Sequence, residues 1–384
     1  MIRSKALFDT PSKRLLGALL SAVAVAFACF PFVNQDPAAM LLVGDLPGFY
    51  GLGRIILEGQ GSRLYDFEYQ QAIQNNFWPQ LDTTFFPTMY PPVVGVVMAG
   101  VAVLPPFWAR VFIAECLLSM LAFLIRRMAV DMKVERFTLV LFSLPVFISI
   151  VAPQNTVVSL LFICVCQRYL KADREFLAGL WGGLLLYKPQ VGVPFLSVAA
   201  TSSSWRFLAG ALMAAMGQYV VAYTAFGGEW LIPWIDKIKG FSTLRFSLDG
   251  YQFTAVTRGI APFILEGALG RLWELFAFGL CMVSLLVWAW GVRKDVSQRA
   301  RVLTCFLATF PVFVPQTNFY DLGIALFAVL SSVALETKRA LYSAILLVIV
   351  VNVCVSVRDT SLSLVPIAAL VVAGYFARTR RYTL

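Results

Sequence analysis

Apolar runs of 15–20 residues recur along this chain as far as its C-terminus, and they limit its possible folds more than any other feature. Each run is long enough, or nearly so, to cross the roughly 30 Å hydrocarbon core of a bilayer as a helix. Hydrophobic residues make up 59% of the 384 residues and charged residues only 14%, whereas a soluble domain carries about 25% charged residues. The sequence therefore predicts an all-α polytopic membrane protein in which residues 1–384 form a single integral membrane domain.

The net charge of +10 comes from basic residues in short clusters between the apolar runs, such as Arg126-Arg127 and Arg378–Arg381. Such clusters are typical of cytoplasmic loops and form no continuous phosphate-binding face, so no nucleic-acid partner is expected. The seven cysteines all fall inside apolar runs and indicate neither a disulfide framework nor a metal site. Histidine is absent, so a His-ligated metal is excluded and acid–base chemistry requires carboxylates, Lys, Tyr or Cys.

The apolar pattern predicts twelve membrane-spanning helices with both termini in the cytoplasm. They lie near residues 15–33, 107–125, 137–152, 156–169, 175–187, 190–200, 206–226, 270–291, 302–316, 320–335, 341–357 and 361–377. The first is interpreted as a membrane helix and not as a cleaved signal peptide, because its apolar run exceeds a typical signal core. Pro189 and a Lys within an apolar run favour a break at Tyr187–Gln190, although one long helix over 175–200 stays open.

A shorter apolar run, residues 93–104, determines the predicted topology. If it crossed the membrane, the basic loop 126–136 would lie outside, and the basic loops after it would also change sides. If it does not cross, 21 of the 31 Lys and Arg residues fall inside and 12 of the 21 acidic residues fall outside. Because positive charge is retained in cytoplasmic loops, we predict a non-spanning helix over 91–104.

This topology predicts two large external loops, residues 34–106 and 227–269. The first loop carries five acidic residues between Gly44 and Pro92, together with many aromatic residues. Polar residues at the ends of apolar runs fall on the same side, and they are Gln154, Asn155, Lys188, Gln190, Asn318 and Asp321. Such residues are costly at the membrane edge unless they serve a site or pair with one another.

Motifs along the chain resemble the GT-C glycosyltransferases, and most closely glycosyltransferase family 87, the polyprenol-phosphate-sugar-dependent mannosyl- and arabinofuranosyltransferases. The motifs are Asp45…Phe49-Tyr50, Gly61…Leu64-Tyr65-Asp66, Tyr90-Pro91-Pro92, Gln154-Asn155, Lys188-Pro189-Gln190 and Tyr320-Asp321-Leu322. Pro153 departs from the family, which more often has Gly before the Gln. The resemblance implies a GT-C-like bundle of about 12 transmembrane helices, whose large first periplasmic loop carries juxtamembrane helices and the catalytic Asp.

The resemblance also implies a function. A mannose-like sugar would pass from a polyprenyl-phosphate donor to a hydroxyl of a lipid or glycan acceptor, at the outer face of the bacterial cytoplasmic (inner) membrane. The leaving polyprenyl phosphate is already a stable anion, so a carboxylate base and phosphate-binding cations suffice. A base on the opposite face of the sugar gives inversion at the anomeric carbon, by analogy with inverting glycosidases. No permanently bound cofactor is expected, and metal dependence stays open.

Candidate roles follow from the resemblance. Asp45 is the candidate general base, with Asp36 as its rival and a simple turn residue as the structural alternative. The candidate cations for the donor phosphate are Lys188, Arg258 and Arg54, with Lys237, Lys239 and Arg245 as alternatives. The candidate substrate-binding residues are Tyr50, Asp66, Tyr90, Gln154, Asn155, Gln190, Asn318 and Asp321. Helix capping is the alternative for the acids and amides, above all for Asp66 before a helix over 67–77, and an interfacial belt is the alternative for aromatic residues.

Two other classes stay open at this point. Twelve spans with both termini inside also describe many transporters, although a transporter should show internal repeats and broken helices near mid-membrane. No similarity between the two halves is evident here, and the polar residues fall on one side. A lipid-linked polysaccharide polymerase or ligase would have similar loops but would use an oligosaccharide pyrophosphate donor.

Overall fold

A computed structural model describes residues 44–81, 85–127, 143–244, 268–313 and 321–332 of the chain. Within these ranges the secondary structure is helical, with no strand, which confirms the all-α prediction. The α-helices are α1 (Leu46–Leu57), α2 (Phe67–Phe77), α3 (Pro92–Ala102), α4 (Pro106–Arg127), α5 (Leu144–Val151), α6 (Thr156–Lys171), α7 (Glu175–Gly183), α8 (Pro189–Thr201), α9 (Trp205–Phe226), α10 (Leu231–Leu244), α11 (Ala268–Gly291), α12 (Val296–Phe313) and α13 (Leu322–Ser332). The helices predicted over 15–33, 341–357 and 361–377 lie outside the described residues.

Most predicted helices that fall on described residues are found within a few residues of their expected bounds, but α12 is an exception. It begins at Val296, six residues before the predicted start. The Asp295 side chain causes the early start, because its Oδ1 accepts a hydrogen bond from the Gln298 amide at 3.3 Å. This is the geometry of a helix N-cap. The basic residues after it, which the apolar pattern assigned to a loop, are therefore helical.

Two helices among the described residues are long and apolar enough to cross a membrane, namely Pro106–Leu124 within α4 and the whole of α9. Helices α5 and α6 would provide a third if they form one broken span, since they meet at a bend of 117°. These helices support a membrane protein. The total of twelve spans stays a prediction.

The chain forms two compact units, and the first comprises Met1–Val130, Ile148–Val158 and Ala215–Leu248. In this unit α1 packs closely against α3 at Gly53. A Cβ added to this glycine would lie only 2.5 Å from the Met98 carbonyl oxygen, which is too close for a normal contact. Helix α3 has 11 residues, which corresponds to a length of about 16 Å. It is therefore too short to cross about 30 Å of hydrocarbon, as the sequence predicted. Its side of the membrane stays a prediction.

Two buried glutamines of α2 hold the segment that leads into α3. Gln74 exchanges two hydrogen bonds with the backbone of Phe86, at 2.9 and 3.0 Å. Gln70 does the same with the backbone of Thr88, at 3.1 and 3.2 Å. Each side-chain amide thus pairs with a backbone amide much as a neighbouring strand would. These contacts fix the extended segment that carries Tyr90.

The second unit comprises Asp131–Phe147, Ser159–Ala214 and Asp249–Leu384. Its helix α7 packs closely against the first half of α9 through glycines. A Cβ added at Gly183 would lie only 2.6 Å from the Ala211 carbonyl oxygen, which is too close for a normal contact. Gly179 meets the Phe207 carbonyl in the same way. Small residues four apart allow this close approach of two helix backbones, as is common in membranes.

The predicted break in the region 175–200 is confirmed in this unit. Helix α7 ends at Gly183, a 3-10 turn covers Leu184–Tyr187, and α8 begins at Pro189. Lys188 lies between them with φ −125° and ψ 80°, which is not helical. The pyrrolidine of Pro189 disfavours a helical conformation at Lys188, which explains the position of the break.

Candidate active site

Gly44, the residue before Asp45, packs against the turn between α5 and α6 in the first unit. Gly44 has φ +63°, a conformation that favours glycine, and a Cβ there would lie 2.8 Å from Ala152. Ala152 precedes Gln154 by two residues. The first motif of the external loop therefore lies beside the Gln154-Asn155 motif, although about 110 residues separate them in sequence.

Tyr90 joins the same group of residues. Its hydroxyl accepts a hydrogen bond from Asn155 Nδ2 at 2.6 Å, and its ring lies 5.1 Å from that of Phe49. The Tyr90 carbonyl accepts a hydrogen bond from the Tyr65 hydroxyl at 3.1 Å. Burial raises the pKa of Tyr65, so its hydroxyl stays protonated and able to donate. We call Asp45, Tyr90, Gln154 and Asn155 the Asp45 cluster.

Two aspartates of the loop, each at the start of a helix, have different contacts. Asp66 caps α2, because its Oδ1 accepts the Tyr69 amide at 3.1 Å, which confirms the predicted cap. The Arg63 guanidinium, 2.8 Å from Asp66 Oδ2, and that backbone amide hold the pKa of the carboxyl below its usual range. Asp45 occupies the N-cap position of α1, but its side chain makes no capping hydrogen bond there. Capping therefore does not explain the presence of a carboxylate at position 45.

Gln154 contributes an unsatisfied polar atom to the Asp45 cluster. Its side chain is 5% exposed, and its buried Oε1 has no hydrogen-bond partner among the described residues. Leaving a buried acceptor unpaired costs about 1–3 kcal/mol. Such an atom indicates a place for a donor from outside the chain, and a sugar hydroxyl would supply one.

Arg110, in the first turns of α4, supports this cluster and was not singled out from the sequence. It is fully buried, and its Nη2 donates to the Val151 carbonyl at 2.7 Å. It thereby holds the C-terminal end of α5, directly before Ala152. A signal was present in the sequence, since a charged residue inside an apolar run is costly and usually has a specific partner.

In the second unit, Lys188 and Asp321 form an ion pair across 133 residues of sequence. The Lys188 Nζ and Asp321 Oδ1 atoms are 2.6 Å apart, and the side chains are 1% and 0% exposed. The hydroxyl of the preceding residue, Tyr187, lies 2.7 Å from Ser159 Oγ. Gln190 is half-buried in the first turn of α8. Two motifs predicted to share one face therefore contact each other directly.

A comparison with protein-family models matches residues 88–315 to glycosyltransferase family 87. The matched segment covers more than half of the 384 residues. The chain belongs to glycosyltransferase family 87. Neither the curated proteins nor the solved structures include a match to it. Membership of family 87 confirms the predicted resemblance and makes this protein a glycosyltransferase, which moves a sugar from a donor to an acceptor.

The family 87 match covers Tyr90, Gln154 and Asn155 of the Asp45 cluster, and it ends before Asp321. Asp45 lies ahead of the matched segment, and its place beside Ala152 is known from the structure alone. Four of the residues nominated from the sequence lie outside the described residues, and they are Asp36, Arg245, Arg258 and Asn318.

Two further candidates of this family 87 protein lie apart from the Asp45 cluster. Tyr50 is in the hydrophobic core, with its ring 5.2 Å from that of Trp78 and its hydroxyl donating to the Leu104 carbonyl at 2.9 Å. Arg54 pairs with Glu58 at 3.1 Å. It lies nine residues beyond Asp45, which is about 14 Å along α1. A substrate role for either residue stays a prediction.

Proposed function

We propose that this glycosyltransferase moves a mannose-like sugar from a polyprenyl-phosphate donor to a hydroxyl of a lipid or glycan acceptor at the external membrane face. Membership of glycosyltransferase family 87 supports the transfer reaction. The membrane-length helices support a donor that arrives within the bilayer. The same membership favours a transferase over the transporter that the sequence left open.

Asp45 is the proposed general base. The observation that carries this role is the close approach of Gly44 to Ala152, because it brings the backbone at Asp45, whose side chain does not cap α1, beside the turn that carries Gln154 and Asn155. The unpaired Oε1 of Gln154 would accept a hydrogen bond from a sugar hydroxyl in this cluster. A base must lie within hydrogen-bond reach of the hydroxyl that it deprotonates.

The proposed step is a single displacement with inversion. Asp45 takes the proton of the acceptor hydroxyl as the acceptor oxygen bonds to the anomeric carbon. The bond between that carbon and the phosphate oxygen breaks, and polyprenyl phosphate leaves with the electron pair as an anion. A carboxylate on the face opposite the leaving group is the arrangement of inverting sugar hydrolysis, which supports this stereochemistry by analogy.

Lys188, Arg54 and Arg258 are the proposed cations for the donor phosphate. Cations placed where charge develops on a leaving group stabilise the transition state. Lys188 is paired with Asp321 at 2.6 Å, so its ammonium is already oriented and partly neutralised. Arg54 is paired with Glu58 at the surface, where such a pair is worth little and is readily exchanged.

The donor is tested by reconstituting the protein in liposomes with radiolabelled sugars. The panel contains polyprenyl-phosphate mannose, polyprenyl-phosphate arabinofuranose, a lipid-linked oligosaccharide pyrophosphate and a nucleotide-activated mannose. We expect label in the lipid or glycan fraction from polyprenyl-phosphate mannose and none from the nucleotide sugar. Transfer only from the pyrophosphate donor would instead support a polymerase or ligase, and transfer from the nucleotide sugar would refute the lipid donor.

A further inference from the structure

Helix α10 belongs to the first unit, and one of its sides contacts the rest of that unit while another side is exposed. Trp234 Nε1 donates to the Met89 carbonyl at 2.9 Å, and Lys237 Nζ lies 4.9 Å from the centre of the Phe67 ring. Among the side chains of α10 that the structure describes, the exposed large apolar ones are Leu231, Ile232, Ile235 and Ile238. Ile232 is 70% exposed. A helix attached on one side thus presents isoleucine and leucine side chains on the other.

The exposed apolar residues form a single stripe along α10. At about 100° per residue, positions 231, 235 and 238 fall within about 60° of one another, and position 232 extends the stripe on one side. The charged residues Asp236 and Lys237 lie outside this stripe, and Lys237 is on the side that contacts Phe67. This division is the pattern of an amphipathic helix with a solvated side and a buried side.

The apolar stripe continues a surface that is suited to contact lipid. Helix α9 is long and apolar enough to cross a membrane, and only 28% of its apolar window is buried. Gly227, with φ +77°, ends α9 and redirects the chain into α10. The Tyr219 and Trp230 rings are 5.7 Å apart, and the Trp230 and Trp234 rings are 5.9 Å apart. The three side chains therefore form a continuous row from α9 to α10. Tyr and Trp are enriched where a span meets the headgroups.

We propose that α10 is an interfacial helix, which lies along the membrane surface with its Leu231–Ile238 stripe against the acyl chains. A bilayer is the expected partner of this stripe because the adjoining helix α9 is long enough to span one. The row of aromatic side chains also lies where α9 meets α10. On its attached side, Trp234 binds Met89, the neighbour of Tyr90 in the Asp45 cluster. Helix α10 therefore fixes that cluster at the level of the lipid headgroups. The proposal does not depend on which sugar donor is used.

Spin labels on α10 test this placement in proteoliposomes. Single cysteines replace Ile232, Ile235 or Asp236 in a background without native cysteines, and each label is exposed to oxygen, which concentrates in lipid, and to a water-soluble nickel chelate. We expect labels 232 and 235 to favour oxygen severalfold over label 236, which serves as the matched control. Equal nickel access at all three positions would place the helix in water. Exclusion of both reagents from position 232 would show a covering protein, including a second copy, and either result would overturn the proposal.

A measurement on the unmodified protein covers the case in which the cysteine-free background does not fold. A lipid with a photoactivatable diazirine near the top of its acyl chain is incorporated into the liposomes, and its adducts are mapped by mass spectrometry. We expect adducts on the peptide that contains residues 231–238 as well as on α9. Labelling of α9 without labelling of α10 would overturn the interfacial placement.

Discussion

At the scale of single residues, contacts distinguish candidates that the sequence could only nominate together. Asp45 and Asp66 both belong to motifs of the same loop, and both are followed by helices. The structure confirms that Asp66 caps a helix, and it shows that Gly44 brings the backbone at Asp45 beside Ala152. Sequence reasoning predicted the Asp66 cap because Asp before a helix is a local signal. A contact across 108 residues has no local signal, so the neighbours of Asp45 could not be predicted.

Gln154 should show opposite effects on stability and on activity. Replacing it with Leu removes the buried Oε1 that lacks a partner, so the variant should unfold at the same or a higher temperature than the wild type. If that oxygen binds a sugar hydroxyl, kcat/KM should fall about tenfold, which corresponds to one hydrogen bond of about 1.4 kcal/mol. Thermal unfolding and transfer kinetics check both expectations. Unchanged kcat/KM would remove Gln154 from the site.

The Lys188–Asp321 pair allows a structural role to be separated from phosphate binding. Lys188→Met alone should cost about 3–5 kcal/mol of stability, because it leaves the buried Asp321 carboxylate unpaired. The double variant Lys188→Met, Asp321→Leu should recover most of that loss. If Lys188 binds the donor phosphate, this folded double variant will still fail to transfer sugar. Restored transfer in the double variant would show that the pair is only structural.

At the scale of elements, the apolar pattern located helices well and their packing poorly. Helices α4, α6 and α9 were predicted almost to the residue, because a long apolar run is a strong signal. Helix α1 was not predicted, since it is short and lies within a loop defined by its polar residues. The pairing of Gln70 and Gln74 with residues 86–88 could not be predicted either, because a glutamine in a sequence does not indicate its partner.

Glycine packing between α7 and α9 gives an element-level prediction. Gly179→Ala would place a methyl group against the Phe207 carbonyl, and the resulting overpacking should cost about 1–3 kcal/mol. Gly217→Ala, farther along α9, is the matched control because no atom of the described residues lies within 4 Å of its Cβ position. It should be neutral or slightly stabilising, since alanine favours a helix. Equal unfolding temperatures for the two variants in detergent would contradict this packing.

At the scale of the whole molecule, the structure supports part of the charge-based topology. Glu175 at the start of α7 binds Arg299 Nη1 at 2.6 Å and the Ser204 amide at 2.9 Å. The three residues lie in or next to segments that the sequence predicted to be cytoplasmic. Within the second unit, helix ends assigned to one side therefore lie together. The assignment of this side to the cytoplasm rests on the charge distribution.

A reporter fusion tests this orientation directly. We expect a reporter inserted after residue 130 to be active in the cytoplasm, because the basic loop 126–136 falls inside when helix α3 does not cross the membrane. A second fusion after residue 62, in the first external loop, serves as the control and should report from outside. Cytoplasmic activity only after residue 62, with external activity after residue 130, would reverse the orientation and place the Asp45 cluster inside.

The central claim is that Asp45 is the base of sugar transfer from a polyprenyl phosphate. The most direct measurement compares the rate of transfer from polyprenyl-phosphate mannose by wild type, Asp45→Asn and Glu68→Gln in the same liposomes. Glu68 is an exposed carboxylate of the same loop and serves as the control. We expect Asp45→Asn to lose at least about 100-fold in rate, as removal of a general base does, while Glu68→Gln retains the wild-type rate. Transfer by Asp45→Asn at the wild-type rate would contradict this assignment.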